Sequence, residues 1–157
     1  MSTNNKSNAA VEGFKVTVTR VVQAPCDVVF RAWTDPAQLS QWFGPAEIQC
    51  RGFTGDMRVG GAYRVHMVSP KGDHIAFGEY RQITPNKRLQ FSWQWEKYAM
   101  PDSLVTVDFE DLGHATRLTL VHEGLPDQED RDEHNHGWNS LIEKFALLME
   151  QAKIKQT

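Results

Sequence analysis

The sequence predicts an α+β domain in which a curved antiparallel sheet is closed by one long C-terminal helix. Three observations predict it. Two short helical segments, each marked by a proline, follow the first strand-like run. Six more strand-like runs then succeed one another with only short polar turns between them, which implies an antiparallel meander rather than parallel βαβ units. From about Asp132 to Ala152, apolar residues recur at spacings of three and four, the period of a helix.

Taken in order, Phe14 to Val22 alternates apolar and polar residues and is expected as the first strand. Pro25 suits a first helical turn, where a missing N–H costs little and a fixed φ already fits. Val29, Phe30 and Trp33 give this helix an apolar stripe. Asp35 has the chemistry of an N-cap, and Pro36 that of the first residue of the next helix. Later strands are expected at Glu47–Phe53, Ala62–Ser69, Ile75–Thr84, Leu89–Tyr98, Leu104–Asp111 and Ala115–Glu123. Turn chemistry separates them, as at Gly60-Gly61 and Pro70-Lys71-Gly72-Asp73. The last helix carries Trp138, Leu141, Ile142, Phe145, Leu148 and Met149 on one face. Acidic residues lie at its start and Lys144, Lys153 and Lys155 towards its end, matching the helix dipole. About 20 residues of helix span roughly 30 Å, enough to cover one face of the sheet.

Residues 13–153 are expected to form a single domain behind a flexible N-terminal tail, residues 1–12, rich in Asn, Ser and Lys. A chain of 157 residues can bury a sizeable core or enclose a cavity. The net charge of −3 and the absence of a dense Lys/Arg block argue against nucleic acid or an anionic membrane as partner. The acidic cluster Asp127, Glu129, Asp130, Asp132 and Glu133 is expected to sit at the positive end of the helix dipole. No apolar run reads as a signal peptide or membrane span, so a cytoplasmic location is expected. Cys26 and Cys50 are too few for a disulfide framework and are expected as buried or half-buried free thiols.

Several chemistries lack their residues. His134 and His136 stand two apart on a helix, so their imidazoles diverge, and no His-Glu-x-x-His pattern occurs. No metal site is therefore expected. A Gly-x-Ser-x-Gly elbow is missing, and Val59-Gly60-Gly61 leads into a strand rather than a helix. No nucleotide, flavin or haem cofactor is implied.

The run from Ala24 to Pro36 with Gln41-Trp42-Phe43-Gly44-Pro45 resembles the entry to proteins related to the activator of heat shock protein 90 ATPase, within the START-like (SRPBCC) superfamily. The likeness continues through Asp56–Arg64, Gly78-Glu79-Tyr80, Ile83-Thr84-Pro85, Arg88-Leu89, Phe91-Ser92-Trp93, Leu104–Val107, Thr116–Leu120 and His136-Gly137-Trp138. It implies the helix-grip fold, with a mostly apolar cavity between sheet and last helix. The chain shows no counterpart of the separate N-terminal domain of full chaperone activators, so chaperone stimulation is not implied.

An apolar or aromatic small molecule is the partner that this resemblance implies. Trp33, Trp42, Tyr63, Met67, Phe77, Glu79, Trp93, Phe109, His134 and Trp138 are the expected ligand-binding residues. Gly137 beside Trp138 either leaves room for a ligand or lets a strand approach. Polyketide cyclases and aromatases share the superfamily's fold, which suggests a second reading as an acid–base enzyme. Glu79, His122 and His134 are its candidate catalytic residues, with Tyr63 or Arg64 orienting a carbonyl. A third reading is a chaperone-linked interaction module, marked by an exposed apolar patch beside residues 127–133. Ligand sequestration in stress or resistance and a homodimer are compatible with each reading.

Overall fold

A computed structural model of the chain describes residues 14–97, 100 and 102–156, with the backbone alone for 153–156. The tail expected at residues 1–12 and Tyr98, the expected end of one strand, lie outside the described residues. β1 (Phe14–Val22) leads into α1 (Cys26–Thr34) and α2 (Pro36–Trp42). Six strands follow: β2 (Gln49–Gly55), β3 (Ala62–Ser69), β4 (Gly72–Thr84), β5 (Arg88–Trp95), β6 (Ser103–Asp111) and β7 (Thr116–Leu125). α3 (Gln128–Gln156) ends the described chain. This is the helix-grip fold.

Local chemistry explains the helix starts. Pro25 occupies the N-cap of α1 with φ −63° and ψ 150°, one residue ahead of the helix proper. It has no side-chain oxygen to cap with, but it presents no unpaired N–H either. The Asp35 carboxylate accepts from the Ala37 N–H at 3.0 Å, and Pro36 opens α2. α3 starts earlier than its apolar period indicates, because Asp127 accepts from the Asp130 N–H at 2.9 Å. Its first turns are polar and carry Glu129 and Asp130 close to the positive helix end.

The strands form one antiparallel sheet in the order β1-β7-β6-β5-β4-β3-β2. Alternation decides which side chains face inward. Met67 pairs with His74, Val65 with Ala76, and Tyr63 with Gly78, which puts all of these on the concave face. Leu89, Phe91 and Trp93 of β5 are buried on that side, as are Val105, Val107 and Phe109 of β6. Leu118, Leu120 and His122 of β7 continue the buried face towards Val16 and Val18 of β1.

α3 lies across this face and buries Trp138, Leu141, Ile142, Phe145 and Ala146 against it. Its outer end is tied to β1, where the Arg20 guanidinium meets Glu143 at 2.9 Å and Glu150 at 3.7 Å. Phe145 packs on Trp33 of α1 and Trp42 of α2, with ring centroids 5.8 and 4.6 Å away. The short helices thereby wedge against one half of α3. Its other half is left facing β3, β4 and β5 with space between. No helix among the described residues is long and apolar enough to cross a membrane.

Candidate functional site

That space is a cavity of about 330 Å³ between the first half of α3 and the sheet. Its floor is Met67, Trp93 and Trp95 from β3 and β5, and its roof is His134, Trp138 and Leu141 from α3. The segment joining α2 to β2 closes one side with Phe43, Pro45 and Ile48. Two hydrogen bonds pin this segment to α3: Ala46 N–H donates to Ser140 Oγ at 2.9 Å, and Lys144 Nζ donates to the Gly44 carbonyl at 3.1 Å. Burial lowers the pKa of the Lys144 ammonium, with Cys50 partly offsetting it. Glu47, Glu133, His136 and His74 also line the cavity, so its walls are apolar and its margin is polar.

Two imidazoles hold the indoles in place. The Trp138 indole N–H can only donate, and it donates to His122 Nδ1 at 2.9 Å. Neutral His122 then carries its proton on Nε2, which lies 2.9 Å from Ser103 Oγ. Ser103 donates onward to the Trp93 carbonyl at 2.7 Å. The second imidazole repeats the logic. Trp95 Nε1–H donates to His134 Nε2 at 3.1 Å, while His134 Nδ1 faces the Asp130 carbonyl at 2.7 Å and so carries the proton. The two rings meet edge to face, 5.0 Å apart. Burial pushes the His122 pKa well below the ordinary imidazole value, and the neighbouring His134 pushes it further. Each ring uses its one free lone pair to accept from an indole, so neither is available as a base without breaking that bond.

Of the expected ligand-binding residues, Met67, Trp93, His134 and Trp138 line the cavity. Trp33 and Trp42 instead belong to the aromatic cluster around Phe145, and Trp42 donates to the Ala32 carbonyl at 3.1 Å. Tyr63 stacks on Phe53 with ring centroids 5.8 Å apart, in a separate cluster with Tyr80 and Phe91. Phe109 packs edge-on against Phe30 under α1. Phe77 and Glu79 require a correction, because both are exposed on the convex face. The parity of β4 gives the inner face to Ala76, Gly78 and Tyr80, which leaves Phe77 opposite Arg64 on the outside. Glu79 there is exposed, 3.4 Å from the Arg81 guanidinium and outside the cavity.

The cavity also includes Phe43, Trp95 and His136, which the sequence offers as aromatic or polar candidates, Gly137, and six residues that the sequence did not nominate: Pro45, Glu47, Ile48, His74, Glu133 and Leu141. Most of these ten come from the α2–β2 segment or from positions flanking His134 and Trp138. The Gly44-Pro45 turn after an aromatic pair is the signal that could have marked the former. Gly137 is a helix-interior glycine, costing about 1 kcal/mol relative to alanine. An ideal Cβ there would meet only Pro45 Cγ at 3.7 Å, an ordinary contact. No strand approach requires the glycine; it leaves the cavity open. Gly137→Ala is accordingly expected to raise stability by about 0.5–1 kcal/mol in urea denaturation, by removing backbone entropy from the unfolded chain.

Residues 23–150 match the family model described as "Activator of Hsp90 ATPase homolog 1-like protein". No curated protein matches the chain. Protein CV1439 from Chromobacterium violaceum is 28% identical, with a TM-score of 0.78 over 87% of this chain and 96% of that one. The AHSA1 protein SPO3351 from Silicibacter pomeroyi is 26% identical, with a TM-score of 0.77 over 88% and 99%. DynU16, from the dynemicin biosynthetic locus, is 26% identical with a TM-score of 0.73, over 88% of this chain and 48% of that one. The matched model spans most of the described domain, so the chain belongs to the Activator of Hsp90 ATPase homolog 1-like family.

Proposed function

We propose that this protein binds an apolar or aromatic small molecule in the cavity between its sheet and α3, without covalent chemistry, as a cytoplasmic carrier or sequestering protein. The observation that carries this reading is the cavity itself. At about 330 Å³ it falls at the lower end of the range for small-molecule pockets, about 300–1,000 Å³, and its walls are largely aromatic. The network beneath it supports binding over catalysis. His122 and His134 spend their lone pairs on indoles, which fixes the shape of the wall rather than presenting a base. The likeness to DynU16, a protein of a biosynthetic locus, agrees with a role in handling a small molecule.

A chaperone-linked role finds less support. Among the described residues, the exposed large apolar side chains are Phe14, Val28, Val59, Phe77, Leu112 and the adjacent pair Leu147 and Leu148, spread over several strands, turns and helices. Phe14 alone is paired in register beside the acidic segment, opposite Leu125.

The five tryptophans provide the test. Trp93, Trp95 and Trp138 line the cavity, whereas Trp33 and Trp42 do not. Naphthalenemethanol added to ¹⁵N-labelled protein is expected to shift the indole N–H resonances of the first three and leave the other two nearly still. Equal shifts in all five, or none, would count against this site.

A further inference from the structure

We propose that the cavity prefers protonated aromatic amines to neutral aromatics, and neutral aromatics to aromatic carboxylates. This rests on the cavity being a binding site and adds the ligand's charge. Two carboxylates, Glu47 and Glu133, line the cavity, and no Lys or Arg does among the described residues. Glu133 has no ion-pair partner among the described residues, and Glu47 meets only the His136 imidazole, at 3.4 Å. Nearby cations are turned elsewhere. Lys144 lines an adjoining groove that shares Glu47 and Ile48 with the cavity, but its ammonium is bonded to the Gly44 carbonyl and forms no ion pair with Glu47. Arg131 reaches the Lys15 carbonyl and Asp132. The positive helix end adds little, since α3 begins at Gln128, more than a turn before Glu133, and the dipole's influence fades within a turn.

The walls act in the same direction. Trp93 stands perpendicular to Trp95, at 89° with centroids 5.3 Å apart, and is tilted 59° to Trp138 at 5.1 Å. Three indoles in different orientations surround one volume, and indole is the strongest of the aromatic partners for a cation over its face. A carboxylate would find negative ring faces and two like charges instead. The side-chain donors of the lining that could meet it are the imidazoles of His74, His134 and His136 and the Trp93 indole N–H. That N–H is buried without a hydrogen-bond partner among the described residues, but it is a neutral donor that an alcohol oxygen meets as well. His74 is already bonded to Ser69 at 2.7 Å, and His134 to Trp95 and Asp130. Because Glu47 and His136 are well exposed, solvent screening keeps the expected preference near tenfold for amine over alcohol, with the carboxylate weaker again by about tenfold.

The probes are naphthylmethylamine, naphthalenemethanol and naphthoate, which share one ring system and differ in charge. Calorimetric titrations at about pH 8 and low ionic strength are expected to rank them in that order. The Glu47→Gln/Glu133→Gln double variant changes only exposed side chains and should reduce the ratio of amine to alcohol affinity from about tenfold to about twofold. Raising the salt concentration should narrow the preference in the unaltered protein. If the alcohol binds and the amine is no tighter, or naphthoate binds as well as either, the charge preference is overturned while the binding site stands. An amine preference that survives undiminished in the double variant overturns the assignment to these carboxylates. If none of the three binds, the binding site itself falls, and this inference with it.

Discussion

Gly78→Ala is expected to cost about 3 kcal/mol of folding stability, because the added methyl group would land on backbone rather than on a movable side chain. An ideal Cβ at Gly78 would lie 2.1 Å from the Ser92 carbonyl oxygen and 2.8 Å from its carbonyl carbon and Oγ. That close approach has a purpose. The β4–β5 register slips between Tyr80 and Gln82, and the irregular stretch is held by Glu79 N–H donating to Ser92 Oγ at 3.0 Å. Tyr63, paired with Gly78 across β3 and β4, donates its hydroxyl to the Ser92 carbonyl at 2.5 Å. Burial raises the Tyr63 phenol pKa well above its ordinary value, so it remains a donor. The glycine lets the strands close in where the sheet bends, and the bend makes the concave face that α3 covers. Urea denaturation should show a lowered midpoint with an unchanged slope. Gly52→Ala, where nothing lies within 4 Å of the added carbon, is the control and should change stability little. Equal effects at the two positions would contradict this account of the bend.

His122→Leu is expected to be comparably severe, at about 3 kcal/mol. It strands the buried Trp138 N–H, which loses its acceptor, and removes the donor that meets Ser103. It should also erase a pH dependence. The folded-state pKa of His122 is depressed, so the unfolded chain takes up a proton that the folded chain refuses. The resulting stability is fully present above the ordinary imidazole value of 6.5 and is lost as pH falls below it, by up to about 1.4 kcal/mol per unit. The carboxylates with depressed pKa values, Asp73, Glu96 and Glu143, have ordinary values of 3.8 or 4.5, so their losses come at lower pH. Denaturation midpoints followed from pH 7 to 5 should therefore fall in the wild type and flatten in His122→Leu. An unchanged slope would show that His122 is not the group responsible.

The order of elements was legible because each rests on local chemistry. Asp35-Pro36 announces a helix start by capping and by fixed φ, and the stripe from Trp138 to Phe145 announces a helix that must cover something. The ends of β2, β5, β7 and α3 were less legible, since polar residues such as those of Gln128–Arg131 carry no hydrophobic period. Facing within β4 could not be settled by residue type. Phe77 looks like the inward residue, yet the register with β3 turns Ala76 and Tyr80 inward and leaves Phe77 in water.

The cavity was legible only in part, for a related reason. The apolar face of α3 indicates only that the helix covers the sheet; that it walls a cavity there is what the family resemblance implies. Which aromatic residues meet the open volume, rather than one another, depends on how α1 and α2 wedge against Phe145. Trp33 and Trp42 are absorbed by that wedge. The locking of His122 and His134 by indole donors is likewise tertiary, joining residues 16 and 39 positions apart. Histidines that read as candidate bases in the sequence become acceptors in a structural network.

The most direct test of the cavity as a ligand site compares naphthalenemethanol binding by the wild type and by Gly137→Leu, using calorimetry over several temperatures. The leucine side chain would enter the cavity past Pro45, and losing the helix glycine should leave the fold no less stable. The expected result is one site per chain in the wild type, with a dissociation constant on the order of 0.1 mM or tighter and a negative heat-capacity change. Affinity should fall at least tenfold in Gly137→Leu. Wild-type binding that the leucine leaves intact, or no binding to the wild type at all, would contradict the assignment of this cavity as the functional site.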